Sequence, residues 1–329
     1  MLDARHLRIL LTVVRCGSFS AAARALNMSQ PAVSMLIAQL EDRVGARLVE
    51  RGRQGARATR AGEILARRAE MLERVLEQAE EEVALGSQDV LGPVAIGGTP
   101  GALMSLLPKA IATLQAQGMR AAFRVLQATD GDLNEMLRDH SIDLAICTVG
   151  IGSLPEDIVE RTITEDRFVL VMRADHPLQA SVARLEELVD ADWVLPSDGG
   201  AFQRQIEAMF LGAGVRIPTH GVRSDALAVT REIIRCSDHL NIAPIDMVRA
   251  DVEAGVLRVI PLASALQPRS VGVRMVRDRR QAELTEMLIA AMARNGVPPV
   301  RQVGDMRDRD GAVGLPRSER GRSADDGIA

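Results

Sequence analysis

The chain has 329 residues, 47% of them apolar, which is enough for two or three domains with real cores. Aromatic residues make up only 2%, with no Tyr, and that excludes a single-stranded nucleic-acid binder built on stacking platforms. The formal net charge of -4 hides an asymmetry: residues 1–60 carry ten arginines against Asp3, Glu41, Asp42 and Glu50, so the remainder is acidic, the pattern of nucleic-acid binding confined to one end.

Residues 4–60 read as helical. The run Gly17-Ser18-Phe19-Ser20-Ala21-Ala22-Ala23 opens a helix whose small residues let a second helix cross closely. Asn27-Met28-Ser29 forms a turn. Ser29 can cap the next helix, and Pro31 suits its first turn, where a missing N–H costs nothing. Val33, Leu36, Ile37 and Leu40 recur at helical spacing and face inward, leaving Gln30, Pro31, Ser34 and Met35 outside. In a helix-turn-helix those outer positions meet base edges in the major groove; Gln30 can read adenine, and Ser34 a base or a phosphate. Arg51, Arg53, Arg57 and Arg60 follow around Gly52 and Gly55, a basic hairpin suited to phosphates or the minor groove. The pair of elements predicts a winged helix-turn-helix.

Residues 62–85 form one uninterrupted helical pattern. Ile64, Leu65, Leu72, Val75, Leu76, Ala79 and Val83 make an apolar stripe opposite a charged face. Such a helix spans about 36 Å and must bury its stripe, either against a second copy as a dimerisation stalk or against its own domain. At 86–92 the pattern breaks into β/α alternation. Strands are predicted at 94–96, 122–126, 144–147, 168–172, 193–195, 241–243 and 271–275, with helices at 103–115, 132–138, 202–211, 227–235, 245–253 and 281–294. This is an α/β region with one or two mainly parallel sheets. Past Pro298-Pro299 the chain is rich in Arg, Asp, Gly and Ser, and residues 301–329 are expected to be disordered.

The N-terminal residues resemble the LysR-type transcriptional regulators. The resemblance rests on Leu7-Arg8, the 17–23 run, Leu26, Ser29-Gln30-Pro31-Ala32-Val33-Ser34, Leu40-Glu41, Gly45, Leu48, Arg51, Thr59 and Ala61-Gly62. It continues through Leu91-Gly92-Pro93-Val94-Ala95-Ile96-Gly97, Leu106-Leu107-Pro108, Ile142-Asp143-Leu144-Ala145-Ile146, Asp175-His176-Pro177-Leu178 and Trp193-Val194-Leu195-Pro196. It departs at Met35-Leu36-Ile37, where the family often has a polar or basic residue after the serine, and at Ala58-Thr59, where leucine-threonine is usual. Base readout then shifts to Gln30, Ser34 and Gln39, and affinity to the wing arginines.

The resemblance implies a multidomain chain. An all-α winged helix-turn-helix occupies 1–61, with a linker helix over 62–87. A periplasmic-binding-protein-like α/β effector domain follows over 88–300, made of two subdomains (88–163 with 267–300, and 164–266) joined by crossing strands. It further implies DNA contacts from Ser18, Phe19, Ser20, Ser29, Gln30, Pro31, Ser34, Met35, Gln39, Arg51, Arg53, Arg57 and Arg60. Effector contacts are implied at strand ends: Thr99, Pro100, Gly101, Gln127, Thr129, Asp130, Thr148, Pro196, Ser197, Phe202, Ser224 and Pro244. Strand ends are where α/β sheets bind ligands. Asp130 and Asp198 on the rim favour a hydroxyl-bearing ligand such as a sugar, whereas the helix N-termini favour an aromatic or other organic acid; both stay open. The implied partners are a pseudo-palindromic double-stranded operator, a small effector and one or three further copies of the chain, with RNA polymerase a further candidate. The expected role is control of a catabolic or uptake operon, by activation or repression.

Rival classes are weaker. The turn Gly97-Gly98-Thr99-Pro100-Gly101 is not G-x-G-x-x-G, Lys109 is the sole lysine so no Walker loop exists, and no G-x-S-x-G elbow is present, so no enzyme is expected. An α/β binding module or enzyme fused to a DNA-binding domain is the alternative. Cys16, Cys147 and Cys236 and the five histidines lack metal-site spacing, so no metal and no cofactor are expected. Cys147 and Cys236 read as buried inert thiols, and the Asp-His pairs ending at His140, His176 and His239 as surface turns. No apolar run has membrane-spanning length and no signal-peptide pattern opens the chain, so no membrane partner and a cytoplasmic location are expected.

Overall fold

The computed structural model describes residues 2–52, 55–197, 201–263 and 269–296. Three helices open the chain, α1 (Ala4–Cys16), α2 (Phe19–Ala25) and α3 (Gln30–Val44), followed by a hairpin of β1 (Val49–Gly52) and β2 (Gly55–Ala58). Each helix begins on a capping side chain: Asp3, Ser18 and Ser29 accept the backbone N–H of Arg5, Ala21 and Ala32. Leu10, Val13, Ala22, Val33, Ile37, Leu40 and Leu48 close one core between the helices and the hairpin. Glu41 ties the two together, its Oε1 accepting the N–H groups of Leu48 (2.7 Å) and Val49 (3.1 Å).

Next comes α4 (Arg60–Gly86), 27 residues long, and so about 40 Å from end to end. Thr59 caps it by accepting the Gly62 N–H at 3.0 Å. Its first turns lie against α1 through Ala66 and Ala69, which meet Leu7 and Leu11; small residues allow the two backbones to approach. Arg15 of α1 adds ion pairs to Glu70 (2.8 Å) and Glu73 (2.9 Å). Farther along, Arg74 holds Asp139, donating to its backbone carbonyl and pairing with its carboxylate, both at 3.0 Å.

The remainder is α/β. In order come β3 (Leu91–Gly98), α5 (Pro100–Ala116), β4 (Ala121–Gln127), α6 (Asp130–Arg138), β5 (Leu144–Thr148), β6 (Ile158–Asp166) and β7 (Phe168–Arg173). After them come β8 (Val194–Leu195), α7 (Ala201–Gly212), β9 (Val222–Arg223), α8 (Leu227–Cys236), β10 (Asn241–Pro244), α9 (Ile245–Glu253), β11 (Leu257–Pro261), β12 (Arg269–Val276) and α10 (Glu283–Asn295). One sheet has the order β4-β3-β5-β12-β6, a second β10-β7-β11, and β8 and β9 form a short pair. Separate cores serve the first two sheets. Ile96, Leu106, Leu144, Ile146, Val273 and Leu288 lie in one, and Leu170, Trp193, Ile206, Phe210 and Ile242 in the other.

The sheets correct the expectation of mainly parallel pairing. β3 runs parallel to β4 and β5, but β12 is antiparallel to β5 and β6, and both pairs of the β10-β7-β11 sheet are antiparallel. The reason is the route of the chain. It leaves the first sheet along β6, with Arg167 alone before β7, and returns along β12, and a returning strand beside a departing one is antiparallel. Of the strands responsible, β6 carries too many polar residues (Glu160, Arg161, Thr162) to read as an apolar run, and the short β11 is interrupted by Arg258. Residues 301–329, expected to be disordered, lie outside the described residues.

Candidate functional site

At the N-terminal end the candidate surface is the outer side of α3. Val33, Ile37 and Leu40 are buried and Leu36 is half-buried, while Gln30, Pro31, Met35 and Gln39 are exposed and Ser34 is half-buried. Gln30 Nε2 donates to Ser34 Oγ at 3.0 Å, so the two polar side chains share one spot one turn apart. Met35 shows 56% of its surface, an apolar side chain held in water beside them. Of the residues before the turn, Ser18 caps α2 and Ser20 is exposed. Phe19 is 9% exposed and belongs to the core on the inner side of α2, and it also lines an open groove that contains Ser34. Arg57 on β2 and Arg60 at the start of α4 are exposed; Arg51 lies on β1 opposite Ala56; Arg53 lies outside the described residues. From Ser34 this open groove of about 590 Å³ runs along the trailing half of α3, where Glu41, Asp42 and Arg47 line it.

The second candidate region follows the ends of the parallel strands. Thr99 and Thr129 occupy the cap positions of α5 and α6, but neither hydroxyl caps its helix. Thr129 donates instead to Asp132 (2.6 Å), whereas the N–H of Thr99 is held by Ile146. Pro100 is half-buried, Gly101 buried, Gln127 exposed and Thr148 buried. Asp130 is engaged by Arg274 at 3.1 Å, and Arg274, only 4% exposed, also holds Glu160 at 2.7 Å. From the other sheet come buried Pro196 and Pro244, with Ser197, Phe202 and Ser224 half-buried. Asp225 anchors Ser197 by accepting its N–H at 3.0 Å, and Phe202 lies 5.9 Å from Phe168, ring to ring. Asp198 lies outside the described residues.

The two halves meet where α5 begins. A Cβ placed on Gly101 would lie 2.7 Å from Met247 Sδ of α9 and 3.3 Å from Arg269 Nη1 of β12, so the two side chains pack closely on the first turn of α5. Arg269 (2% exposed) and Asp166 (2% exposed) stand opposite each other where β12 and β6 cross between the halves. Burial and the nearby Asp246 charge raise the Asp166 pKa, and burial lowers that of Arg269. These residues escaped the sequence reading: a lone arginine heading a strand looks like a solvated edge until the antiparallel return of β12 is known.

Two further expectations are corrected. Cys236 is exposed, while Cys147 is buried, its thiol pushed up to about 12 by loss of hydration. His176 does sit in a turn, but its ring is buried, accepting the Leu178 N–H at Nδ1 (3.0 Å) and lying 3.0 Å from the Asp238 carbonyl at Nε2. Among the described residues no cluster of His, Cys, Asp and Glu could hold a metal, and no helix is long and apolar enough to cross a membrane.

Residues 4–63 match the family of bacterial regulatory helix-turn-helix proteins of the lysR family, and residues 87–296 match the LysR substrate binding domain. The chain belongs to the LysR family. It is a LysR-type transcriptional regulator, with an N-terminal helix-turn-helix and a C-terminal substrate-binding domain. Among curated LysR relatives, the transcriptional regulator PcaQ of Agrobacterium fabrum is 26% identical over 289 residues, covering 88% of this chain and 93% of that protein. GbpR of Rhizobium radiobacter is 30% identical over 258 residues, 76% of this chain and 83% of that one. Full-length CbnR, solved in complex with its target DNA, shares the fold with a TM-score of 0.67 at 17% identity, covering 90% of this chain and 100% of CbnR. A full-length OxyR variant from Pseudomonas aeruginosa shares it with a TM-score of 0.62 at 22% identity, covering 89% of this chain and 98% of that one.

Proposed function

We propose that this LysR-type regulator reads a pseudo-palindromic operator through α3 and the β1–β2 wing, and that a small metabolite bound between its two α/β subdomains resets the DNA complex. The observation that carries the reading is the two-sidedness of α3. Its inner residues are sealed in the core, while on its leading outer side Gln30, Pro31 and Met35 are exposed and Ser34 is half-buried, and the arginine-bearing hairpin packs on the same core. Ser18, Ser20, Ser29, Gln39, Arg51, Arg53, Arg57 and Arg60 complete the assigned DNA contacts. Arginines position the duplex, and Gln30 and Ser34 specify sequence.

Two or four copies assemble through α4, on which Ile64, Val75, Leu76 and Val83 remain 41–75% exposed along one side. An apolar stripe of that length is normally buried. The assigned effector contacts are Thr99, Pro100, Gly101, Gln127, Thr129, Asp130, Thr148, Pro196, Ser197, Phe202, Ser224 and Pro244. The domains are assigned as 1–61, 62–87 and 88–300, the last split into 88–163 with 267–300 and 164–266. The protein acts by shifting equilibria and not by turnover: an effector moves it only by its differential affinity for two arrangements. The genes that consume or import a metabolite are those its level usefully controls, so a catabolic or uptake operon is the assigned target, and the cytoplasm the assigned location.

The test is a footprint and salt titration on DNA upstream of the protein's own gene. Gln30→Ala should relax preference at one base pair by about 1–3 kcal/mol. Arg57→Ala should weaken all sequences alike and reduce the salt slope by about 1. Unchanged binding in both variants would refute the assignment.

A further inference from the structure

Arg269 is 98% removed from solvent, yet its Nε and Nη2 have no hydrogen-bond partner among the described residues. These two N–H groups lie on one edge of the guanidinium, the edge that grips a carboxylate with two parallel hydrogen bonds. The protein uses that edge elsewhere. Arg138 sets Nε and Nη2 on the two oxygens of Asp157 at 2.7 and 2.8 Å, and Arg231 does the same to Asp251. Leaving such a pair buried and empty is costly, since each orphaned charged donor forfeits its hydration.

The neighbouring acids do not fill it. Asp166 Oδ1 accepts the Arg167 N–H at 2.8 Å, its Oδ2 faces the Ser105 hydroxyl at 3.4 Å, and it also accepts the Asp246 N–H. Asp246 in turn receives Arg249 Nε at 3.0 Å. Each carboxylate near Arg269 therefore has its own donors. The other side of the guanidinium, Nη1, comes within 3.3 Å of the Cβ position of Gly101, in the first turn of the 17-residue helix α5. There the helix dipole favours negative charge, and the Thr99 hydroxyl leaves the helix uncapped.

We infer that the effector of this regulator is a carboxylic acid, its carboxylate held by the Nε/Nη2 edge of Arg269 beside the N-terminus of α5. The inference rests on the cleft assigned above and names the chemistry that cleft selects. The guanidinium is closed off in this arrangement, with Met247 of α9 against Gly101, so an anion enters only when α5 and α9 part. Occupancy by a carboxylate and the angle between the subdomains are thereby coupled.

The experiment is thermal denaturation of the full-length protein with succinate, benzoate, their amides succinamide and benzamide, and glucose, because a ligand of the folded state raises Tm by mass action. At least one carboxylate should raise Tm in wild type, its amide should not, and Arg269→Gln should abolish the shift. Arg269→Lys keeps the charge beside Asp166 and Asp246 without the fork, and should need at least tenfold more carboxylate for the same shift. A carboxylate shift unchanged in Arg269→Gln or Arg269→Lys overturns the assignment. If glucose or an amide raises Tm as much as the acids, the cleft binds ligand but the carboxylate assignment fails. If nothing in the set moves Tm, both the assignment and the cleft reading are counted against.

Discussion

Gly62 sets how closely α4 approaches the hairpin, and Gly62→Ala tests that packing directly. A Cβ on Gly62 would overlap the Leu48 carbonyl oxygen and lie 2.9 Å from its carbon. Nonbonded carbons rest at about 3.5–4.0 Å, so α4 and the strand entering β1 must separate by at least about 0.6 Å. The obstacle is backbone, which has no rotamer to change. Overpacking of this kind costs about 1–3 kcal/mol, and a backbone clash belongs at the upper end; alanine's better helix propensity returns about 1. A net loss of about 2 kcal/mol lowers the melting of the N-terminal region by roughly 10 °C. The internal control is Gly86→Ala on the same helix, where a Cβ meets nothing within 4 Å; it should be neutral or slightly stabilising. Calorimetry of both variants is the assay, with operator affinity as a second readout, because the hairpin moves with Leu48. Equal melting temperatures for the two variants would refute the reasoning.

Glu41→Ala removes the acceptor of the Leu48 and Val49 N–H groups and should cost about 2–4 kcal/mol; Glu41→Gln, which keeps an acceptor oxygen, should recover more than half in the same melting assay. Ser29→Ala should cost about 1 kcal/mol through loss of the α3 cap. Ser29→Asp should keep the stability yet weaken DNA binding, since it sets a negative charge where phosphates approach; normal operator affinity in that variant would place the DNA elsewhere. Burial lifts the Cys147 thiol from 9.0 to about 12 in the folded chain. The unfolded chain therefore loses that proton first: the stabilisation is complete below pH 9 and is lost as pH rises through about 12. Cys147→Ala should flatten the alkaline limb of chemical denaturation by up to one proton's slope, about 1.4 kcal/mol per pH unit. In native protein, iodoacetamide at pH 8 should label Cys16 and Cys236 but spare Cys147.

The helix-turn-helix was legible because its signals are local. Ser29, Pro31 and the spacing of Val33, Ile37 and Leu40 act within one helix, and the structure places each as expected. The burial of Phe19 in the same core as Ala22 and Val33 was not legible, because the short helix α2 has too few apolar residues to show a stripe. Strand ends carrying Thr99, Thr129 and Ser197 could be read from where apolar runs stop. Arg269, Asp166 and Met247 could not. Arg269 and Asp166 converge only through pairing between β12 and β6, about a hundred positions apart, and Met247 reaches them only through the packing of α9 near α5; sequence pattern carries no register at that range.

The long helix α4 joins two bodies, being packed on α1 through Ala66 and Ala69 near its start and held to Asp139 through Arg74 farther on. Between Gly62 and Gly86 it contains no glycine or proline at which to bend. Azimuth is thus transmitted along it without slack. Each residue inserted or removed between Ala69 and Arg74 would turn the DNA-reading end by about 100° relative to the sensory end, while seven residues would restore the phase to within about 20°. Chimaeras that exchange the sensory half must therefore be joined in helical phase, whatever the identity at the seam, and a one-residue slip should uncouple ligand from DNA while leaving both halves folded.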